Sequence, residues 1–341
     1  MKTVSRILLP LLAIMVFTTV SWSQKVGSTS MQFLKVMPVA RATAMGDAYS
    51  VLASGADAIF WNPAGVAATE NIEASLTYID WIFDSRQGAL GLAASLGDFG
   101  MVGVQFQYID FGSIDEALWE APYKDDIEYP GLTGRQFRPY AFLVGITYAY
   151  QLTDKFSTGL TAKYAHESLY NGNTIAAFTS QGDPLDAKTW ANGIMFDFGI
   201  RYNTGFRSIR LGASVQNFGP NVTYADEDNS IPLALRVGIA ADVIGADPLF
   251  LPMEDNRLTV AFDLFQPNDY TQQAHMGMEY EFSGMIALRG GYKFNYDADG
   301  LTAGIGFRQN LGGTRVSVDY SYGALDYSLG AVHRISIGAG F

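Results

Sequence analysis

The chain of 341 residues contains no cysteine. Disulfides, zinc–thiolate sites, thiol nucleophiles and a lipid-bearing lipoprotein cysteine are therefore excluded. Charge is scarce as well. Asp, Glu, Lys and Arg make up 16% of the sequence, against about a quarter in a typical soluble domain. The balance is acidic, with a net charge of -12. A phosphate backbone needs a basic face, so nucleic acid is not an expected partner; the acidic excess reads as solvated loop charge. A long apolar run is also missing. Ile7 to Val20 is apolar but falls short of the roughly twenty residues that a membrane helix needs. Lys2 and Arg6 precede it and Ser21-Trp22-Ser23 follow, the layout of a secretory signal peptide with cleavage expected before Gln24. Beyond it no stretch reaches membrane-helix length.

What the chain does have is glycine (36), tyrosine (19) and phenylalanine (22). From residue 71 these fall into alternating segments. In "ANGIMFDFGIRYN", Ile194, Phe196, Phe198, Ile200 and Tyr202 share one parity, and Met195, Asp197, Gly199, Arg201 and Asn203 the other. Period two is the mark of a strand. "IPLALRVGIAAD", "RLTVAFDLF" and "GTRVSVDYSY" repeat it. Strands are expected near 71–81, 88–97, 100–111, 139–151, 155–167, 191–204, 207–217, 232–243, 256–266, 270–282, 284–295, 299–309, 313–322 and 330–341. Each has about the length that a tilted strand needs to cross a bilayer.

The connections alternate too. Tight turns are expected at Asp98-Phe99, Thr153-Asp154, Gly205-Phe206, Ser283-Gly284 and Gly312-Gly313, and long polar loops at 112–138, 168–190 and 218–231. Short turns at one end and long loops at the other is the asymmetry of an outer-membrane barrel. The link "IGADPLFLPMED" at 244–255 is long at the short-turn end, either an excursion or a miscounted strand. The reading is an all-β, transmembrane antiparallel barrel of about 14 strands, with outer-membrane lipid as its first partner.

Charge placement carries the same conclusion. Arg210, Arg236, Asp263, Glu279, Arg289, Arg308, Arg315, Asp319 and Arg334 share the polar parity with glycine and serine. A charge facing lipid at mid-depth costs about 2–4 kcal/mol, so this parity is read as the lumen. Tyr140 and Phe142 at one end of a strand, and Tyr148 and Tyr150 at the other, read as interfacial girdles. The final segment "GAVHRISIGAGF" closes on Phe341, which resembles the signal that the barrel assembly machinery reads.

Residues 24–70 precede the barrel. "RATAMGDAYSVLASGADAIFWNPAGVAAT" is alanine-rich, with a short helix expected around Ala44 to Ala53 and a break at Asn62-Pro63. Alone, that break reads as a turn between a helix and a strand. "GDAYSVLASGADAIFWNPAGVA", preceded by Arg41 and Met45-Gly46, together with "LGASVQNFG", "IPLALRVGIA", "GMEYEF", "ALRGGYKF" and "VHRISIGAGF", resembles the PorV/PorQ family within the wider FadL-like outer-membrane proteins. The resemblance covers essentially the whole mature chain. It implies three parts: a signal peptide at 1–23, an N-terminal hatch at 24–70 folded inside the lumen, and an outer-membrane barrel at 71–341. Arg41, Met45, Gly46, Asn62, Pro63 and Ala64 carry the hatch motif. Asn62 would satisfy backbone groups at the break, and small Ala64 and Gly65 would let the chain pass close to the wall.

No catalytic, cofactor or metal constellation stands out, and the chain is read as a non-enzyme. His166, His275 and His333 lie in separate segments and read as structural. Asp226-Glu227-Asp228 lacks the spacing of a helix-loop-helix calcium loop. Gly97 to Gly103 is not followed by Gly-Lys-Ser/Thr, so it is no phosphate cradle. A barrel-embedded lipase or protease remains an alternative. The resemblance implies a type IX secretion component in the outer membrane of a Gram-negative-type bacterium. Such members accept cargo bearing a C-terminal signal domain at the translocon and pass it to a surface attachment complex. Trp119, Tyr123 and Tyr129 are candidate loop anchors, since large aromatics dominate many interfaces. The alternatives are a FadL-like transporter of hydrophobic small molecules and a purely structural barrel.

Overall fold

The computed structural model describes residues 27–118, 131–170, 176–178, 184–186, 188–224 and 227–341. Fourteen strands form one antiparallel sheet that closes on itself. They are β1 (Ile72–Asp80), β2 (Arg86–Ser95), β3 (Met101–Asp110), β4 (Tyr140–Thr153), β5 (Phe156–Ser168), β6 (Trp190–Asn203) and β7 (Arg210–Phe218). The second half comprises β8 (Ala234–Gly245), β9 (Asn256–Pro267), β10 (Gln273–Phe282), β11 (Ile286–Phe294), β12 (Asp299–Leu311), β13 (Thr314–Leu325) and β14 (Ala331–Gly340). Each pairs with its neighbours in sequence, and β1 pairs with β14 from Glu73↔Gly340 to Asp80↔His333. Closure leaves no unpaired edge, which an apolar solvent requires of any spanning sheet.

The alternation read from sequence is the inside–outside alternation of this wall. Along β6, Ile194, Phe198 and Ile200 are about half exposed, whereas Met195 and Asp197 are buried. Lipid-facing apolar side chains of this kind recur around the barrel, including Ile146, Leu288, Ile305 and Ile337. Near the long-loop end of β3–β6 the outer face carries packed rings. Tyr108 stacks on Tyr140 with centroids 6.4 Å apart, and His166 lies between Phe142 (5.3 Å) and Trp190 (5.9 Å). Amphipathic rings of this type settle at the membrane–water interface.

The link after β8 is a folded excursion. Leu251–Pro252 runs parallel to Ile244–Gly245, and Met253 N donates to Gly245 O at 2.8 Å. The strand count is unaffected. At the opposite end the long loops, expected to lack strands, carry small hairpins: Ile114–Leu118 with Gly131–Phe137, Ala176–Phe178 with Pro184–Asp186, and Val222–Tyr224 with Glu227–Asn229. By the outer-membrane rule that turns are short in the periplasm and loops long outside, this end faces the cell exterior.

The N-terminal segment fills the lumen. It starts at the outer mouth, where Thr29 bridges to Ser230 and Asp269 gathers Thr29 and Lys35. It then descends inside the wall to β1. Two short helices punctuate it, α1 (Ala40–Ala44) and α2 (Ala58–Trp61). The expected helix over Ala44 to Ala53 is displaced. The helix ends where that one was to begin, because Gly46 and Asp47 both adopt positive φ, 62° and 66°, which reverses the chain.

Two outcomes follow. Phe198→Arg, on the lipid face near mid-strand, should cost about 2–4 kcal/mol. The check is the temperature at which the compact form in mild detergent gels gives way to the slower unfolded band. Phe341 continues the wall, its N–H donating to Ile72 O at 2.9 Å, with its ring exposed. Deleting it should lower assembled barrel in outer-membrane fractions and raise periplasmic degradation; unchanged insertion contradicts this.

Candidate functional site

An irregular segment inside a barrel has few hydrogen bonds of its own. Its buried N–H and C=O groups must find partners, and the polar inner face supplies them. Asp263 Oδ2 accepts from Tyr49 N (3.1 Å) and Ser50 N (2.9 Å). Ala40 N donates to Ser336 Oγ at 2.8 Å, and Thr302 Oγ1 donates to Ala44 O at 3.1 Å. Gln216 Nε2 reaches Phe60 O (3.0 Å) and Trp61 O (3.1 Å), and Ser157 Oγ donates to Ala64 O at 3.1 Å.

The hatch motif residues occupy the centre of this arrangement. Asn62 is fully buried. Its Oδ1 accepts from Ala64 N at 3.1 Å, and its Nδ2 donates to Ser50 O (2.9 Å) and Ile200 O (3.1 Å). Pro63 opens a 3₁₀ turn, Pro63–Ala68, where its missing donor costs nothing. Met45 and Ala64 are fully buried. Ala64 does lie against the wall, with Gly159 and Gly199 close to its amide, whereas Gly65 serves packing within the hatch. A side chain on Gly65 would strike Ala53 and Ala58, within the hatch itself. It is wall glycines that admit the segment: a Cβ at Gly159 would collide with Pro63, at Gly199 with Asn62, and at Gly291 with Met45 and Gly46.

Arg41 ties hatch to wall by charge. Its Nε and Nη2 donate to Glu279 Oε2 (2.8 Å) and Oε1 (2.6 Å). Arg289 donates from Nε to the same carboxylate at 2.6 Å and from Nη1 to Asp319 Oδ1 at 2.7 Å. Arg308 lies 3.7 Å from Glu279 and 2.8 Å from Glu281. Glu279 and Arg289 are buried, so the cluster is a desolvated network, stable because each member is paired.

The remaining predicted lumen charges lie elsewhere. Arg210 pairs with Asp242 at 2.8 Å, and Arg315 approaches Glu73 at 3.6 Å, both at the periplasmic end. Arg236 and Arg334 are buried near the outer mouth. Trp119, Tyr123 and Tyr129 lie outside the described residues, as does Asp226. His275 is buried against Phe265 and bonded to Tyr296 Oη at 2.7 Å; His166 and His333 are on the outer face, so the three are not brought together.

Sequence reasoning missed a second set of buried pairs. Lys163 lies 2.7 Å from Asp197, and Lys293 lies 2.8 Å from Asp47 of the hatch. The parity rule that selected the other charges would have found Lys163, Asp197 and Lys293. Burial pushes the Asp47 carboxyl up, but Lys293 overrides it and holds the group below its ordinary value. Burial pushes the Tyr49 phenol up to about 12.

At the outer mouth, above the hatch, lies a cavity of about 410 Å³, lined by residues including Phe33, Trp81, Phe111, Phe265, Tyr270 and Tyr296. Such a volume falls within the range of small-molecule sites.

The charge network makes a graded prediction. Glu279→Ala leaves Arg41 and Arg289 buried without their shared counter-charge and should cost about 3–5 kcal/mol. Arg41→Ala leaves Glu279 still paired with Arg289 and should cost less. Limited proteolysis of the assembled barrel checks the order: cleavage within 40–60 should be fast in the first variant and slower in the second.

Comparison with known proteins places this architecture. Solved structures of the Pseudomonas putida toluene transporter TodX superpose with TM-scores of 0.54 and 0.55 at 16% and 14% identity. They cover 87% and 89% of this chain, and 95% and 97% of theirs. A monoaromatic hydrocarbon channel, CymD, gives 0.54 at 12% identity, covering 90% of this chain and 98% of its own. At these identities the likeness is one of fold. Among curated proteins none matches the sequence. The family model of the type IX secretion system protein PorV matches residues 20–266. A closed fourteen-stranded barrel, a hatch in its lumen and this match together place the chain in the bacterial outer membrane, and it belongs to the PorV family.

Proposed function

We propose that this barrel serves protein export by type IX secretion, docking cargo polypeptides at its extracellular face. The observation that carries the reading is the bonding of the hatch to the wall at many points. A lumen occupied in this way is poorly suited to pass a polypeptide, so a PorV-family barrel would act through its outer surface. The loops suit that role: the hairpin Ile114–Leu118/Gly131–Phe137 carries Ile114 and Leu132 exposed to solvent. Trp119, Tyr123 and Tyr129 lie between its strands in sequence and are the proposed anchors. The proposed partners are the secretion translocon, the C-terminal domains of cargo and, during biogenesis, the barrel assembly machinery.

A second reading is supported by the outer cavity. Its aromatic lining suits a hydrophobic small molecule, and TodX and CymD, similar in fold, are hydrocarbon transport proteins. One set of variants separates the two. Trp119→Ala, Tyr123→Ala and Tyr129→Ala together should abolish cargo retention in affinity purification, since anchors of this kind are each worth about 2 kcal/mol or more, and should leave barrel assembly intact. Variants that keep every protein partner but lose uptake of a hydrophobic tracer would replace the first reading with the second.

A further inference from the structure

Three polar side chains that neither functional reading uses meet on the inner face of β5–β7. Lys163 of β5, Asp197 of β6 and Asn217 of β7 are 8%, 2% and 6% exposed. Lys163 Nζ lies 2.7 Å from Asp197 Oδ1 and also donates to Asn217 Oδ1. Asn217 N donates to the same Asp197 oxygen at 2.7 Å, and Asn217 Nδ2 donates to Pro232 O at 3.1 Å. An amine, a carboxamide and a carboxylate are thus in mutual contact.

The place of Asn217 is not the one its strand dictates. Along β7 the even positions Gly212, Ser214 and Gln216 face the hatch, so alternation would turn Asn217 toward lipid. The pairing with β6 slips between Phe196 and Phe198, which leaves Gln216 and Asn217 together opposite Asp197. A bulge of this kind re-aims a side chain. Asn217 adopts a φ of 59° and turns inward beside Lys163. An ion pair between Lys163 and Asp197 alone does not call for that bulge. Hatch residues Leu34, Val36, Ile59 and Phe60, with Leu143 of β4, line with the three groups a cavity of about 20 Å³, room for one water-sized molecule.

We propose that Lys163 and Asn217 are joined by an isopeptide bond that the folded barrel forms by itself, with Asp197 as the proton relay. Asp197 takes a proton from the Lys163 ammonium. The freed amine lone pair attacks Asn217 Cγ, and the C=O pair moves onto Oδ1. The Asp197 acid gives its proton to Nδ2, and the carboxylate takes the surplus proton from Nζ. The Oδ1 pair then re-forms the C=O bond, and the Cγ–Nδ2 bond breaks with its pair on the nitrogen. Ammonia leaves into the cavity and takes the last proton from Asp197. One C–N bond replaces another, with no change of oxidation state and no co-reactant. Contact between the reacting groups replaces a bimolecular encounter, the positioned carboxylate supplies acid–base catalysis, and burial keeps water from the product. The bond would close a covalent loop between positions 54 residues apart, across β5, β6 and β7. It is a property of the wall and goes beyond both functional readings.

The test is tryptic peptide mapping of the full mature barrel purified from outer membranes. The expected species is segment 156–188, uncut at Lys163, joined to segment 211–236 and lighter than their sum by one ammonia. It should be the major form of both segments, with fragment spectra placing the link at Lys163 and Asn217. Peptides are read rather than the intact mass, because a chain beginning at Gln24 also loses ammonia when that residue cyclises. In Lys163→Arg and in Asp197→Asn the linked species should vanish and free 211–236 should appear, with heat-modifiable migration confirming assembly. After boiling, the wild type should migrate ahead of both variants, since a cross-link constrains the unfolded chain. Cleavage after Lys163 with recovery of free 211–236 from the wild type overturns the proposal, whether or not a variant assembles, and leaves a buried ion pair beside an amide. A linked species that persists in Asp197→Asn overturns the relay.

Discussion

The structure depends on satisfying the backbone of an irregular segment in a place without bulk water. A strand or helix meets this demand within itself. The hatch, with two short helices and positive φ at Val39, Gly46, Asp47 and Gly55, does not. Its carbonyls and amides are instead bonded to Ser, Thr, Gln and Asp side chains on the inner face of the wall. The inward parity of the strands is therefore more than a polar lining; it is a set of hydrogen-bonding groups matched to one particular chain path. Glycines on the same parity, such as Gly159 and Gly199, provide the clearance. The Arg41–Glu279–Arg289–Asp319 network adds a charged fastening whose members are stable only together.

Most of the wall was legible in the sequence. Period two locates fourteen strands, and their ends fall within a few residues of the observed ones, because a lipid-facing side chain and a luminal one differ by several kcal/mol at mid-membrane. Charges such as Glu279 and Asp319 were assignable to the interior on parity alone. The hatch was less legible. Its alanine content suggested a helix over Ala44 to Ala53, but local propensity is a weak force beside a buried path set by the wall. Nor could alternation tell which inner glycines face the hatch, since that depends on contacts between residues far apart in sequence. Gly199 and Asn62 are an example.

The two ends of the lumen differ in character. Toward the periplasm the charges are paired, Arg210 with Asp242 and Arg257 with Glu281. Toward the exterior the segment 27–36 is pinned by Asp269 and Ser230, and beside it a cavity carries cationic and aromatic side chains. A barrel closed below and receptive above is suited to work at the cell surface, which is where PorV-family membership directs the functional proposal.

The account rests on the hatch amides being bonded to the wall, and hydrogen–deuterium exchange of the full mature barrel in nanodiscs measures this directly. Peptides covering residues 40–66 should exchange as slowly as those from β6 and β9, with the Tyr49–Ser50 amides slow in the wild type and faster in Asp263→Ala. Exchange of 40–66 within seconds, at the rate of the exposed loops, would contradict the account.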